Sequence, residues 1–64
     1  MNISDEPLAV SPRRAKAMLD CGTTHLYQLL KDGKLESYKD GKSRKITLKS
    51  IRAYVELRLA EQAV

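Results

Sequence analysis

At 64 residues and 7.2 kDa the chain allows one domain, which buries only about 60% of its unfolded surface; that size leaves little room for an enclosed catalytic cleft and favours a binding module. Its hydrophobic fraction of 42% is ordinary for a globular protein, and no apolar run exceeds three residues, which excludes default disorder, a membrane span and a signal-peptide core. Twelve Lys and Arg against eight Asp and Glu give +4, and the lone Cys21 leaves no intrachain disulfide, so a reducing, cytoplasmic setting is expected.

Residues 1–7 lack periodicity and read as a tail ending at Pro7, ahead of a domain over residues 8–64. Ser11-Pro12 predicts a helix start: Ser accepts from free N–H groups and Pro suits the first helical position. Val10 and Ala15 flank that cap as a weak hydrophobic staple. Ala15, Met18 and Leu19 recur at helical spacing, so this helix is expected over 12–19 with that stripe inward. Arg13, Arg14 and Lys16 fall on its outer side. Asp20-Cys21-Gly22 breaks the pattern.

A second helix is expected from Thr23, capped by Gly22 or Thr23 and buried along Leu26, Leu29 and Leu30. Thr24, Gln28 and Lys31 lie opposite that stripe, with His25 and Tyr27 on its flanks. Asp32-Gly33 ends it. Short strands are expected over 35–38 and 44–47, with Asp40-Gly41 between them as a hairpin signal. Leu35 and Ile46 would face the core, while Lys39, Lys42, Arg44 and Lys45 project from the ribbon or its tip. Thr47 then caps a last helix running to about Glu61, with Leu48, Ile51, Val55 and Leu59 inward. Ala53, Leu57, Ala60 and Val64 form a second apolar stripe on that helix, a candidate surface for cooperative self-association on DNA.

The predicted fold is α+β: two short helices joined by a tight turn, a basic two-stranded hairpin and a C-terminal helix. Two such helices make a helix-turn-helix, the hairpin would be a wing, and the second helix would enter the major groove. Charge agrees with that reading. Residues 10–52 hold eleven bases against four acids, a local balance of +7, which should attract a polyanion. The plainer alternative is a solvated basic surface that serves solubility alone.

The run from Met18 to Leu35 resembles the small winged helix-turn-helix of excisionase-type and MerR-like DNA-binding domains. Tyr27, the Leu29-Leu30 pair and Asp32-Gly33-Lys34-Leu35 carry the resemblance. It continues through Lys39, Gly41, Lys45 and Ile46 into Ile51 and Tyr54, and covers roughly residues 8–56 without a gap. Asp20 stands where the family often has Gly, Gly22 replaces the usual Ser, and Thr23 and Thr24 occupy positions often held by Arg or Ser. The resemblance implies an excisionase, or recombination directionality factor, of a mobile element or prophage. Such a factor binds and bends double-stranded attachment-site DNA and assists an integrase, without a small-molecule effector and without chemistry of its own. The alternatives are a small phage-type transcriptional regulator using the same surface, and a protein-interaction module such as an anti-repressor.

Base readers are expected at Thr24 and Gln28, with Thr23 and His25 beside them, because Gln can bond adenine twice and a Thr methyl can contact thymine. Tyr27 and Lys31 would hold phosphate, although Tyr27 can also pack beside Leu30. Lys39, Lys42, Ser43, Arg44 and Lys45 would serve phosphate or minor-groove contact, and Arg13, Arg14 and Lys16 would meet the backbone from the first helix. Cys21 and His25 lie four apart, but with no further Cys or His they cannot close a zinc site in one copy. Cys21 reads instead as a small hydrophobe. No paired carboxylates, phosphate loop or triad is present, so neither an enzyme nor a cofactor is expected.

Overall fold

The computed structural model describes residues 7–63. The tail expected at residues 1–7 therefore lies outside it save for Pro7, which is exposed. The described elements run β1 (Ala9–Val10), α1 (Pro12–Leu19), α2 (Thr23–Lys31), β2 (Ser37–Asp40), β3 (Ser43–Thr47) and α3 (Leu48–Gln62).

Local chemistry explains the helix ends. Ser11 Oγ accepts from the Arg14 N–H at 3.2 Å, and Pro12 begins α1. Asp20 closes α1 in the left-handed conformation (φ 54, ψ 49), which Asp tolerates better than most residues. The Cys21 N–H bonds back to the Lys16 carbonyl at 3.0 Å, so the turn also satisfies a terminal carbonyl of the helix. Thr47 Oγ1 accepts from the Ser50 N–H at 3.2 Å and caps α3 in the same way.

β3 is the centre of a three-stranded antiparallel sheet ordered β1-β3-β2. Ile46 on β3 pairs with Val10 on one side and Ser37 on the other, and it is fully buried. Around it lie Val10, Ala15, Leu26, Leu29, Leu35, Leu48 and Ile51, with Leu19, Cys21, Leu30 and Tyr54 half-buried against them. The core thus draws on every element except β2, none of whose residues is buried.

Four expectations change. Strand β1 joins the two expected strands: two residues carry no periodicity, and only pairing with β3 defines them. Leu35 is buried, yet it precedes β2 rather than belonging to it. Asp40 ends β2 opposite Ser43, so the two loop residues are Gly41 and Lys42; Gly41 sits at φ 67, the positive value that a first loop residue of a tight hairpin requires. Finally, Met18, Val55 and Leu59 do not face inward: they are 48%, 40% and 64% exposed. A fifteen-residue helix is about 22 Å long, and the small body covers only its first two turns.

Candidate nucleic-acid interface

Helix α2 is short, nine residues, and is fixed from one side by buried Leu26 and Leu29. Its other side carries the exposed Thr23, Thr24, His25, Tyr27, Gln28 and Lys31, with no acidic residue anywhere along the helix. Its N-cap is Gly22, which offers no side-chain hydrogen bond. The amide N–H groups of the first turn are therefore uncapped by a side chain, at the end where the helix dipole favours an anion. Lys16 Nζ donates to Thr23 Oγ1 at 2.8 Å, which ties a basic residue of α1 to the first residue of α2.

Two side chains are less free than the sequence suggests. Gln28 Nε2 donates to Asp32 Oδ1 at 3.0 Å, one turn further along. Arg44 does not simply project. Its guanidinium donates from Nη1 to Ser37 Oγ at 2.8 Å and is half-buried, as is Lys45, whereas Lys39, Lys42 and Ser43 are exposed.

The register divides the hairpin charges between two faces. Lys39 pairs with Arg44, and Tyr38 pairs with Lys45. Because alternate residues point to opposite faces, Lys39 and Arg44 share the side of Ile46, while Tyr38 and Lys45 lie on the other side. The bases grouped together in the sequence therefore reach two directions. Two like charges set directly across a ladder destabilise it, so the Lys39–Arg44 pair is a local cost to the fold that a bound anion would offset.

On α1, Arg13 and Arg14 are exposed and line one shallow depression of about 420 Å³ together with Ser11, Ala17 and Met18. Cys21 is half-buried and packs on the core, in keeping with its reading as a small hydrophobe. Among the described residues no cluster of His, Cys, Asp or Glu could hold a metal ion. No described helix is long and apolar enough to cross a membrane. Ala53, Leu57 and Ala60 are exposed on α3; Val64 lies outside the described residues.

Two residues at this surface carry no site role in the sequence pattern. Tyr38 is half-exposed beside Lys45; in the sequence it falls in an expected strand, where alternation with the Leu35 side is the signal that turns it outward. Asp32 marks the helix stop in the sequence, and its spacing of four from Gln28 also allows the side-chain bond. In comparisons with known proteins, the chain matches no family model, no curated sequence and no solved structure.

Proposed function

We propose that the chain is a winged helix-turn-helix module that binds double-stranded DNA sequence-specifically, with α2 in the major groove and the β2–β3 hairpin as the wing. The observation that carries the reading is the exposed face of α2. From Thr23 to Lys31 it presents hydroxyl, amide, imidazole and amine groups, its one neighbouring acid, Asp32, being bonded to Gln28 at the C-terminal cap, on a helix anchored by two buried leucines. Arg13, Arg14, Lys31, Lys39, Lys42, Arg44 and Lys45 supply charge for phosphate, and Thr24 and Gln28 supply base contacts.

The biological role that best fits this module is that of an excisionase: it binds and bends attachment-site DNA beside an integrase, and copies aligned on adjacent sites cooperate. A small transcriptional regulator would use the same surface. Integrase-dependent excision of an attachment-site substrate, with and without the protein, separates the two. DNA binding itself is tested by titrating duplexes over a range of salt. Gln28→Ala is expected to relax the preference at particular base pairs, and Lys42→Ala to weaken binding to all sequences alike. Affinity that ignores salt would overturn the reading, because log affinity should fall by about 0.9 per phosphate contact for each unit of log salt.

A further inference from the structure

We propose that Asp32 is a positioning residue which locks the Gln28 amide with its oxygen facing outward, and so sets the base that α2 prefers. The inference rests on the DNA-binding reading above and adds to it the direction of specificity.

The bond runs from Gln28 Nε2 to Asp32 Oδ1 at 3.0 Å. A carboxylate can only accept, whereas an amide has a donating end and an accepting end. The flipped amide would set Oε1 against the carboxylate, oxygen to oxygen, so the pairing admits a single orientation. Nε2 carries two hydrogens. One is taken by Asp32, and the other remains beside Oε1 on the outward edge. That edge shows one acceptor next to one donor, which complements adenine in the major groove, where N6–H donates and N7 accepts. Guanine offers two acceptors there, and its O6 would oppose the Gln28 oxygen. Reading guanine would require Nε2 to turn its hydrogens toward those two acceptors and so to give up Asp32.

Among the described residues the Asp32 carboxylate serves the bond to Gln28. It lies at the C-terminal cap of α2, where a negative charge opposes the helix dipole. The cap bond to the Gln28 carbonyl, 2.9 Å, comes from the Asp32 backbone N–H, which any residue but proline would supply. Gln28 is the side-chain partner found for this carboxylate among the described residues. An acid in the middle of a basic surface also repels phosphate. Its presence is explained if it acts on its neighbour.

The test measures affinity for duplexes carrying each of the four base pairs at the position where Gln28→Ala relaxes preference. The parent chain is expected to favour adenine there. Asp32→Ala should lower the adenine-over-guanine ratio by about 1.5- to 2.5-fold, the equilibrium worth of an exposed side-chain bond between residues four apart on a helix, while leaving the other positions unchanged. Asp32→Glu, which can still accept, should retain the ratio. Asp32→Asn keeps the turn and can accept or donate; it should lose the ratio with the folded state intact by circular dichroism. An overall tightening that is equal for all four bases would mean that Asp32 acts through charge alone, and would overturn the lock while leaving the interface standing. A parent chain without salt-sensitive duplex binding would overturn the interface and the lock together.

Discussion

Exchanging Lys39 for Gln is expected to move stability and DNA affinity in opposite directions. Lys39 stands directly across the ladder from Arg44, so their Cβ atoms are about 5 Å apart. Long side chains let the charges spread to about 7 Å, where two positive charges repel by about 0.6 kcal/mol in water-like surroundings. Salt at 0.15 M, with a Debye length of about 8 Å, reduces this to about 0.3 kcal/mol, and at 0.01 M about 0.5 kcal/mol remains. Lys39→Gln should therefore raise the urea midpoint, and raise it more at low salt. DNA should respond the other way. The slope of log affinity against log salt should become shallower by about 0.9, which corresponds to a loss of about fivefold to tenfold at 0.1 M salt. Urea titrations followed by circular dichroism measure the first effect, and anisotropy titrations of a labelled duplex measure the second. A variant that is less stable than its parent, or that binds DNA with the parent's salt slope, would refute the reasoning from the cross-strand pair.

Gly22→Ser should stabilise the fold by about 0.5–1 kcal/mol, since Gly22 has an extended backbone (φ −87, ψ 173), a Cβ there meets nothing within 4 Å, and a serine would both cap α2 and restrict the unfolded chain; the urea midpoint reads this directly. On α3, Ile51→Ala should cost about 2–4 kcal/mol because Ile51 is buried in the core, whereas Leu59→Gln should change stability by less than about 0.5 kcal/mol. Equal losses for these two variants would show that Leu59 is covered in solution.

What the sequence made legible was whatever short-range chemistry decides. Ser11-Pro12 and Thr47 mark helix starts by hydrogen bonds that span three residues, and α1 begins and ends where the expectation put it. The α2 stripe was equally readable, because helical spacing assigns Leu26 and Leu29 to one face whatever they pack against. Pairing decides the rest. The two residues of β1 become a strand only through Ile46 and Thr47, and the connection between the hairpin strands shortens to Gly41 and Lys42 because Asp40 pairs with Ser43. Periodicity also says nothing about how far a partner surface extends. Val55 and Leu59 continue the stripe of Leu48 and Ile51 faithfully, but the body that buries the first pair ends before it reaches the second. At the candidate interface, exposure followed from the wheel of α2. The bonds that restrain Gln28 and Arg44 depend on rotamers: the spacing of four allows the first, whereas the second needs the hairpin register to bring Ser37 near Arg44.

These same differences in anchoring divide the work of the proposed interface. A nine-residue helix is too short to persist alone in water, so the shape of α2 is imposed by Leu26 and Leu29 in the core and by the Lys16–Thr23 bond at its start. Side chains on such an element keep a fixed spacing to one another, which is what hydrogen bonding to base edges demands. The far end of the hairpin is held differently. β2 buries nothing and β3 buries Ile46 alone, so the ladder and the Arg44–Ser37 bond hold the strands together against a small Lys39–Arg44 repulsion. Phosphate contact tolerates that freedom, because a charge acts over a Debye length and carries no register of its own. On the DNA-binding reading, discrimination among sequences therefore belongs to α2 and its restraint at Asp32. The hairpin contributes attraction that is nearly indifferent to sequence and strongly dependent on salt.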